Sequence, residues 1–313
     1  MLSIIIPVYN VENYIEETLL SIFKANSIMV EVIIVDDGSK DGSIKIIEGL
    51  SNKFQIKILR QKNSGVSSAR NAGLKAAQGE YIMFLDGDDV IGDNLLNNLG
   101  EILKFNSDII IGNRSFFNNK TKELKKVDSI YDSFYSEKEK FLENCISNNI
   151  VFWNIGGYIV KRKILLDNNI FFNESLSSAE DLDFFMRILI SSKLIMTSQL
   201  QFFTYRLFRE NSIMNSPSMK KIADDLNIFK KFYSDYDENI CISDFFLSAY
   251  SKSISNIGYL KNSYEIEFIK NIILIDDIWY SSKKIKIKIY IIIWKIMGIY
   301  KGSKLINTIK RRL

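Results

Sequence analysis

The sequence predicts an α/β fold: a mostly parallel sheet with helices on both faces, continued by a helical C-terminal region. Three observations carry this. Almost unbroken apolar runs (Leu2 to Val8, Val30 to Val35, Tyr81 to Leu85) recur between helical patterns, as in strands buried on both faces of a parallel sheet. Each run stops at Asn, Asp or Gly turn chemistry, where an open sheet presents its ligand crevice. From Pro217 onward, stretches at 218–236, 242–260 and 264–280 carry apolar residues at helical spacing.

Taken in order, Leu2 to Val8 is a strand closed by Tyr9-Asn10. Asn13 caps a helix over Tyr14 to Ala25, with Glu16 and Glu17 in the first turn, where the dipole favours acids. Val30 to Val35 is a second buried strand ending in Asp36-Asp37-Gly38-Ser39. A helix from Gly42 to Leu50 and a strand from Ile56 to Leu59 follow. Asn63-Ser64-Gly65 is a turn leading into a helix over Val66 to Ala77, which carries Arg70 and Asn71. Neither a Gly-x-Gly-x-x-Gly nor a Walker-type lysine loop follows the first strand, so a nucleotide would bind through other groups.

Composition narrows the chemistry. The 313 residues suffice for one large α/β domain with an appendage. There is no histidine, which removes His bases, Ser-His-Asp triads and His metal sites and leaves carboxylates as proton acceptors. Cys145 and Cys241 stand in no motif, so a reducing compartment and neither disulfide scaffold nor zinc site is expected. The chain opens directly on a strand pattern with no basic, signal-like start. Residues 278–313 hold ten Lys and Arg and no acid, leaving 31 basic against 37 acidic residues before them. This is a local basic tail on an acidic body, and nucleic acid is not an expected partner.

The most informative stretch is Gly79 to Asp93. Its apolar strand ends directly in Asp86, Asp88 and Asp89, with Gly87 and Gly92 allowing tight turns. No basic residue lies between Gly79 and Leu103. Concentrated carboxylates at the carboxyl end of a strand suit a hard cation, Mg²⁺ or Mn²⁺, that carries substrate phosphates as its other ligands. Asp86 and Asp88 read as the metal pair; Asp93 reads as the N-cap of the next helix.

Pro7-Val8-Tyr9-Asn10, Val35-Asp36-Asp37-Gly38-Ser39, Ala69-Arg70-Asn71-Ala72-Gly73, Gly79-Glu80-Tyr81 and Asp86-Gly87-Asp88-Asp89 stand in the order and spacing of the family 2 glycosyltransferases, of the bacterial surface-polysaccharide type. The chain resembles that family closely over about residues 2 to 115 and more loosely to about 214. The resemblance implies the GT-A fold, with a nucleotide-sugar-binding half at 1–115 and an acceptor-binding half at 116–215. A helical region at 216–282 and a basic amphipathic tail at 283–313 complete the expected organisation. It further implies that Pro7 and Tyr9 line the nucleoside pocket, that Asp37 reads the base edge, and that Asp88 ligates the metal while Asp86 lies by the ribose or a metal-bound water. Arg70 faces the crevice, where it reaches a phosphate or is an ordinary surface arginine. Tyr9 either stacks on the base or fills the sheet edge.

Farther on, Asp108 to Gly112 reads as a strand, Asn118 to Lys126 as an exposed loop or hairpin, and Ser136 to Glu139 as a capping box before a helix to about Ile146. The segment from Phe152 to Tyr158 resembles the family's acceptor-facing stretch, with Trp153 either a sugar platform or core. Ser178 caps a helix opened by Glu180-Asp181, and by resemblance Asp181 is the general base, with Glu180 next in line and Asp183 on the surface. Gln201 to Arg206 is a strand, and Arg206 or Arg209 resembles the family's diphosphate arginine. The processive Gln-x-x-Arg-Trp signature is absent, so one sugar per acceptor is expected.

In the tail, Ile285, Ile289, Ile292, Ile296 and Tyr300 share one helical face flanked by lysines. Such a helix lies in an anionic membrane surface, with Trp294 and Tyr300 at headgroup depth, or packs on protein. The expectation is an inverting, metal-dependent glycosyltransferase on the inner face of the cell membrane. It moves a sugar from a nucleoside-diphosphate sugar, first among them a UDP-sugar, to a lipid-linked or oligosaccharide acceptor. A sugar-nucleotide nucleotidyltransferase and a non-catalytic membrane-peripheral scaffold are the alternatives.

Overall fold

The structure, a computed structural model, describes residues 1–25, 29–126, 133–147, 154–176, 178–208, 219–235 and 299–310, with positions 245, 254, 289, 293, 294 and 297. The chain divides into two compact units, Met1–Lys138 with Trp153–Ser212, and Glu139–Phe152 with Ile213–Leu313.

The first unit alternates strand and helix from its start: β1 (Leu2–Val8), α1 (Ile15–Phe23), β2 (Val30–Asp36), α2 (Ser43–Ser51), β3 (Ile56–Arg60), α3 (Val66–Ala76) and β4 (Tyr81–Phe84). Strands β3-β2-β1-β4 pair in that order, all parallel. Strand β1 explains its own apolar run. Ile4, Ile6 and Val8 join Ile15, Leu19 and Ile22 of α1 in one core, while Ile5 faces α3 on the other side. A Cβ at Gly73 of α3 would lie 2.3 Å from Ile5 Cγ2, so helix and strand touch backbone to side chain.

The sheet continues with β5 (Val90–Ile91), β6 (Ile109–Asn118), β7 (Glu123–Lys126), β8 (Phe134–Glu137), β9 (Tyr158–Lys161) and β10 (Leu194–Leu207). Strand β9 runs antiparallel between β4 and β6, β10 lies parallel to β6, and β5 and β8 add antiparallel to β10. The β6–β7 hairpin matches the exposed segment expected at Asn118 to Lys126. Helices α4 (Leu99–Leu103), α6 (Arg162–Asp167) and α7 (Glu180–Ser191), with a 3-10 turn at Ile155–Gly157, complete the described helices of this unit.

Several local signals yielded to tertiary pairing. Ser136 sits in β8 opposite Ile195 of β10 and is no helix cap, so the expected capping box does not form. Asp93 is followed by turns, and α4 starts only at Leu99; Asp93 instead lies 3.5 Å from Lys24 in an exposed ion pair. Helix α1 begins after Tyr14, with no side-chain cap from Asn13.

In the second unit, α5 (Lys138–Ser147), nearly all of it in this unit, α8 (Met219–Asp235) and α9 (Ile299–Lys310) are described. The segments expected as helices at 242–260 and 264–280 lie almost wholly outside the described residues. Trp294 is only 2% exposed. Its Nε1–H donates to Ser303 Oγ at 3.1 Å, and Ser303 Oγ donates to Ile254 O at 3.2 Å. Trp294 is therefore an internal side chain of this unit, which corrects its expected position at headgroup depth. Among the described residues no helix is long and apolar enough to cross a membrane.

Candidate active site at the carboxyl end of the sheet

Strands β1, β2 and β4 all end at one edge, and their loops tie to one another. The Asp37 N–H donates to Val8 O at 2.8 Å. Asn10, at φ 53°, donates its N–H to Ser39 Oγ and accepts from the Lys40 N–H. Tyr9 is 45% exposed, so its ring is a surface beside the crevice and does not fill the sheet edge. Pro7 is partly buried, and its carbonyl backs onto Gly87.

Asp37 is buried, and its carboxylate accepts from Gln61 Nε2 (2.8 Å), the Ser64 N–H (2.8 Å) and the Gly65 N–H (2.9 Å). A carboxylate offers about four acceptor positions, so Asp37 fixes the loop before α3 and keeps one position in hand.

The acidic turn follows β4. The Leu85 N–H donates to Ile5 O, the Asp89 N–H closes the turn on Asp86 O at 3.0 Å, and Thr18 Oγ1 donates to Gly87 O at 3.1 Å. The three carboxylates then differ. The Asp86 side chain is 32% exposed; Asp88 and Asp89 are buried. Asp89 Oδ1 accepts the Arg206 N–H at 3.0 Å, a structural role the sequence did not signal. Among the described residues no three His, Cys, Asp or Glu side chains gather into a metal cage. The partly exposed Asp86 carboxylate and the buried Asp88 carboxylate are oxygen donors of the kind a hard cation completing its shell with phosphate and water would take.

Arg70 lies at the centre. It is 4% exposed, donating through Nη2 to Asp86 Oδ1 (2.8 Å) and through Nη1 to Glu180 Oε1 (3.3 Å). Burial pulls its pKa down, but Asp86 and Glu180, with Asp181 behind them, raise it above the usual arginine value. One guanidinium thus joins the acidic turn to the start of α7. Its neighbour Asn71 grips the preceding segment, accepting the Phe172 N–H and donating to Phe172 O and Glu174 Oε1. Phe172 stacks on Phe184 at 3.8 Å and meets Phe84 edge-on, which carries the link into the core.

Helix α7 starts after Ala179, which is left-handed at φ 58°, so Ser178 is not the N-cap. Asp181 is half-buried and accepts the Leu182 N–H at 2.9 Å. Asp183, expected on the surface, is buried: it pairs with Arg187 one turn on, and Arg187 also donates to Phe171 O. Tyr158 is buried nearby, its hydroxyl pushed up by burial and by the Asp181 charge. Arg206 is 6% exposed and directed inward, to Asp88 O and Glu17. Trp153 and Arg209 lie outside the described residues.

Residues 3–168 match "Glycosyl transferase family 2", and the chain belongs to that family. Among its relatives are "Uncharacterized glycosyltransferase EpsJ" of Bacillus subtilis, 32% identical over 188 residues, which span 59% of this chain and 54% of that protein. Another is "Poly(ribitol-phosphate) beta-N-acetylglucosaminyltransferase TarS" of Staphylococcus aureus, 31% identical over 220 residues, 68% of this chain and 37% of that protein. The chain thus spans about half, or less, of these relatives' lengths. The crystal structure of S. aureus TarS 1-349 superposes with a TM-score of 0.72 at 21% identity, covering 100% of this chain and 92% of that one. That likeness establishes the GT-A fold for this chain.

Proposed function

We propose that this chain is a metal-dependent, inverting glycosyltransferase that moves one sugar from a UDP-sugar to a hydroxyl of a glycan acceptor. The observation that carries the reading is the Arg70 bridge. Inversion needs a base on the acceptor side and charge stabilisation on the donor side, held in one frame. A single buried guanidinium contacts Asp86 of the donor-side turn and Glu180 beside Asp181. In this reading Asp181, at a helix N-terminus that favours its negative charge, accepts the proton of the acceptor hydroxyl. That oxygen attacks the anomeric carbon opposite the diphosphate. Pro7 and the exposed Tyr9 ring hold the nucleoside, and the remaining acceptor position of Asp37 takes a ring N–H. Asp88, with Asp86, would hold Mn²⁺ or Mg²⁺, whose charge offsets that of the departing diphosphate. Crystal structures of TarS 1-349 in complex with UDP and with UDP-GlcNAc support the choice of donor class.

The acceptor in this reading is a lipid-linked oligosaccharide, and the enzyme is peripheral on the inner membrane face. Ten basic residues without an acid in 278–313 support this. Full-length protein is expected to co-sediment with anionic vesicles more than protein lacking residues 283–313 does, and equal partitioning of the two forms removes the membrane reading.

The activity is tested by incubating the protein with Mn²⁺ and a panel of nucleotide sugars. Slow release of UDP from a UDP-sugar, stopped by EDTA, is expected. Pyrophosphate release from a nucleoside triphosphate and a sugar phosphate would instead identify a nucleotidyltransferase, and no turnover of either kind a scaffold.

A further inference from the structure

We propose that Arg206 is a positioning residue for the donor site, holding the Asp86–Asp89 turn in one conformation from β10. The inference rests on the reading of Asp86 and Asp88 as donor-site carboxylates. The turn lies beyond the end of β4 and outside the strand ladder, so its shape depends on what its carbonyls and buried side chains meet. Arg206 meets two of them. Its Nε–H donates to Asp88 O at 2.9 Å, and its backbone N–H donates to Asp89 Oδ1 at 3.0 Å.

Arg206 is itself immobilised. Its guanidinium lies 5.1 Å from the Tyr14 ring centroid and 5.2 Å from that of Phe117, and Nη2 donates to Glu17 Oε2 at 2.7 Å. A planar guanidinium between two rings, with one edge on a carboxylate, directs its Nε–H at a fixed point. A lysine has neither the fork nor the flat face for this. The bond to Asp88 O is charge-assisted, and it sets the direction in which the Asp88 side chain leaves the backbone. Without it the turn samples other conformations, and apparent affinity for a ligand needing both carboxylates falls with the competent fraction.

The test is calorimetry of UDP with Mn²⁺, and of uridine without metal, on wild-type protein and on Arg206→Met, Arg206→Lys and Glu17→Gln. Arg206→Met is expected to lose about tenfold in Mn²⁺-dependent UDP affinity, at the lower end for a residue that orients a metal ligand, while its uridine affinity is unchanged. Arg206→Lys keeps the positive charge beside Glu17 but lacks the fork and the flat face, so it is expected to lose nearly as much. Glu17→Gln is expected to stay within about twofold, because the Glu17 side chain is 63% exposed and exposed pairs contribute little. Wild-type affinity in either Arg206 variant overturns the inference, as does an equal loss of uridine affinity. Wild-type protein that binds uridine but shows no Mn²⁺-dependent UDP binding removes the donor-site reading, and this inference with it.

Discussion

Replacing Arg70 with methionine tests the bridge on which the site is built. The variant removes one buried cation and leaves Asp86 and Glu180 facing each other without it, with Asp181 adjacent. Breaking a buried ion pair from one side costs about 3–5 kcal/mol. The lower end applies here, because the Asp86 side chain is 32% exposed and the Glu180 side chain 19%, so both can recover some water. In a body of this size 1 kcal/mol moves Tm by about 2–4 °C, so a fall of roughly 6–12 °C is expected in circular dichroism. Arg70→Lys should recover part of it, since an ammonium reaches one carboxylate but cannot fork to both. Adding Glu180→Gln to Arg70→Met should recover stability, because it removes one side of the remaining repulsion. A Tm for Arg70→Met within about 2 °C of wild type, less than the shift expected for 1 kcal/mol, would show that the two contacts do not hold the turn and α7 together. An additive double mutant would separate the two carboxylates and refute the bridge as a unit.

Asp181→Asn should lose transfer while keeping UDP and Mn²⁺ affinity, since in the proposed mechanism it is the base and acts on the acceptor alone; transfer at the wild-type rate places the base elsewhere, with Glu180 next. Gly73→Ala should cost about 1–3 kcal/mol in denaturant unfolding, because its new Cβ would lie 2.3 Å from Ile5 Cγ2; an unchanged midpoint would mean α3 can lift off β1 freely. The Tyr81 hydroxyl is buried, and its pKa is pushed up to about 12 by burial and by Glu80 and Asp108. The neutral form is thus favoured in the fold, so this contribution to stability is complete below about pH 10 and is lost as pH rises toward 12. Tyr81 Oη has no hydrogen-bond partner among the described residues, so Tyr81→Phe should be near-neutral at pH 7 and flatten the alkaline loss; an unaltered alkaline limb counts against this.

What could be read from the sequence divides by the range of the forces involved. Strands β1, β2 and β4 were legible because burial on both faces leaves nearly unbroken apolar runs, a pattern that needs no knowledge of the partner. The alternation with α1, α2 and α3 then implied parallel pairing. The caps expected at Asn13, Asp93 and Ser178 do not form because cap propensity is a matter of about 1 kcal/mol, a local preference that tertiary context readily overrides. Ser136 shows the same competition, since its cap signal lost to four register pairs between β8 and β10. Asp183 reads as a surface acid until Arg187 is seen donating at once to Asp183 and to Phe171 O.

The candidate residues can be picked out in the sequence, but their wiring cannot. Asp86, Asp88 and Asp181 stand out as acids at strand and helix ends, whereas Arg70 reads either as a crevice-facing arginine or as an ordinary surface one. That Arg70 contacts carboxylates 16 and 110 positions away is written nowhere in its neighbourhood. The consequence reaches the mechanism. An arginine turned to the crevice would await a phosphate, whereas this one is occupied by Asp86 and Glu180 before any substrate arrives. In the proposed reading it acts on the donor through the geometry of the acidic turn and on the acceptor through the start of α7. The acidic turn and the start of α7 meet in one side chain. Any substitution that shifts Asp86 should then be felt at Asp181, and an Asp86→Asn variant should change acceptor KM as well as UDP affinity. An acceptor KM unchanged in that variant would mean the turn and α7 are set independently.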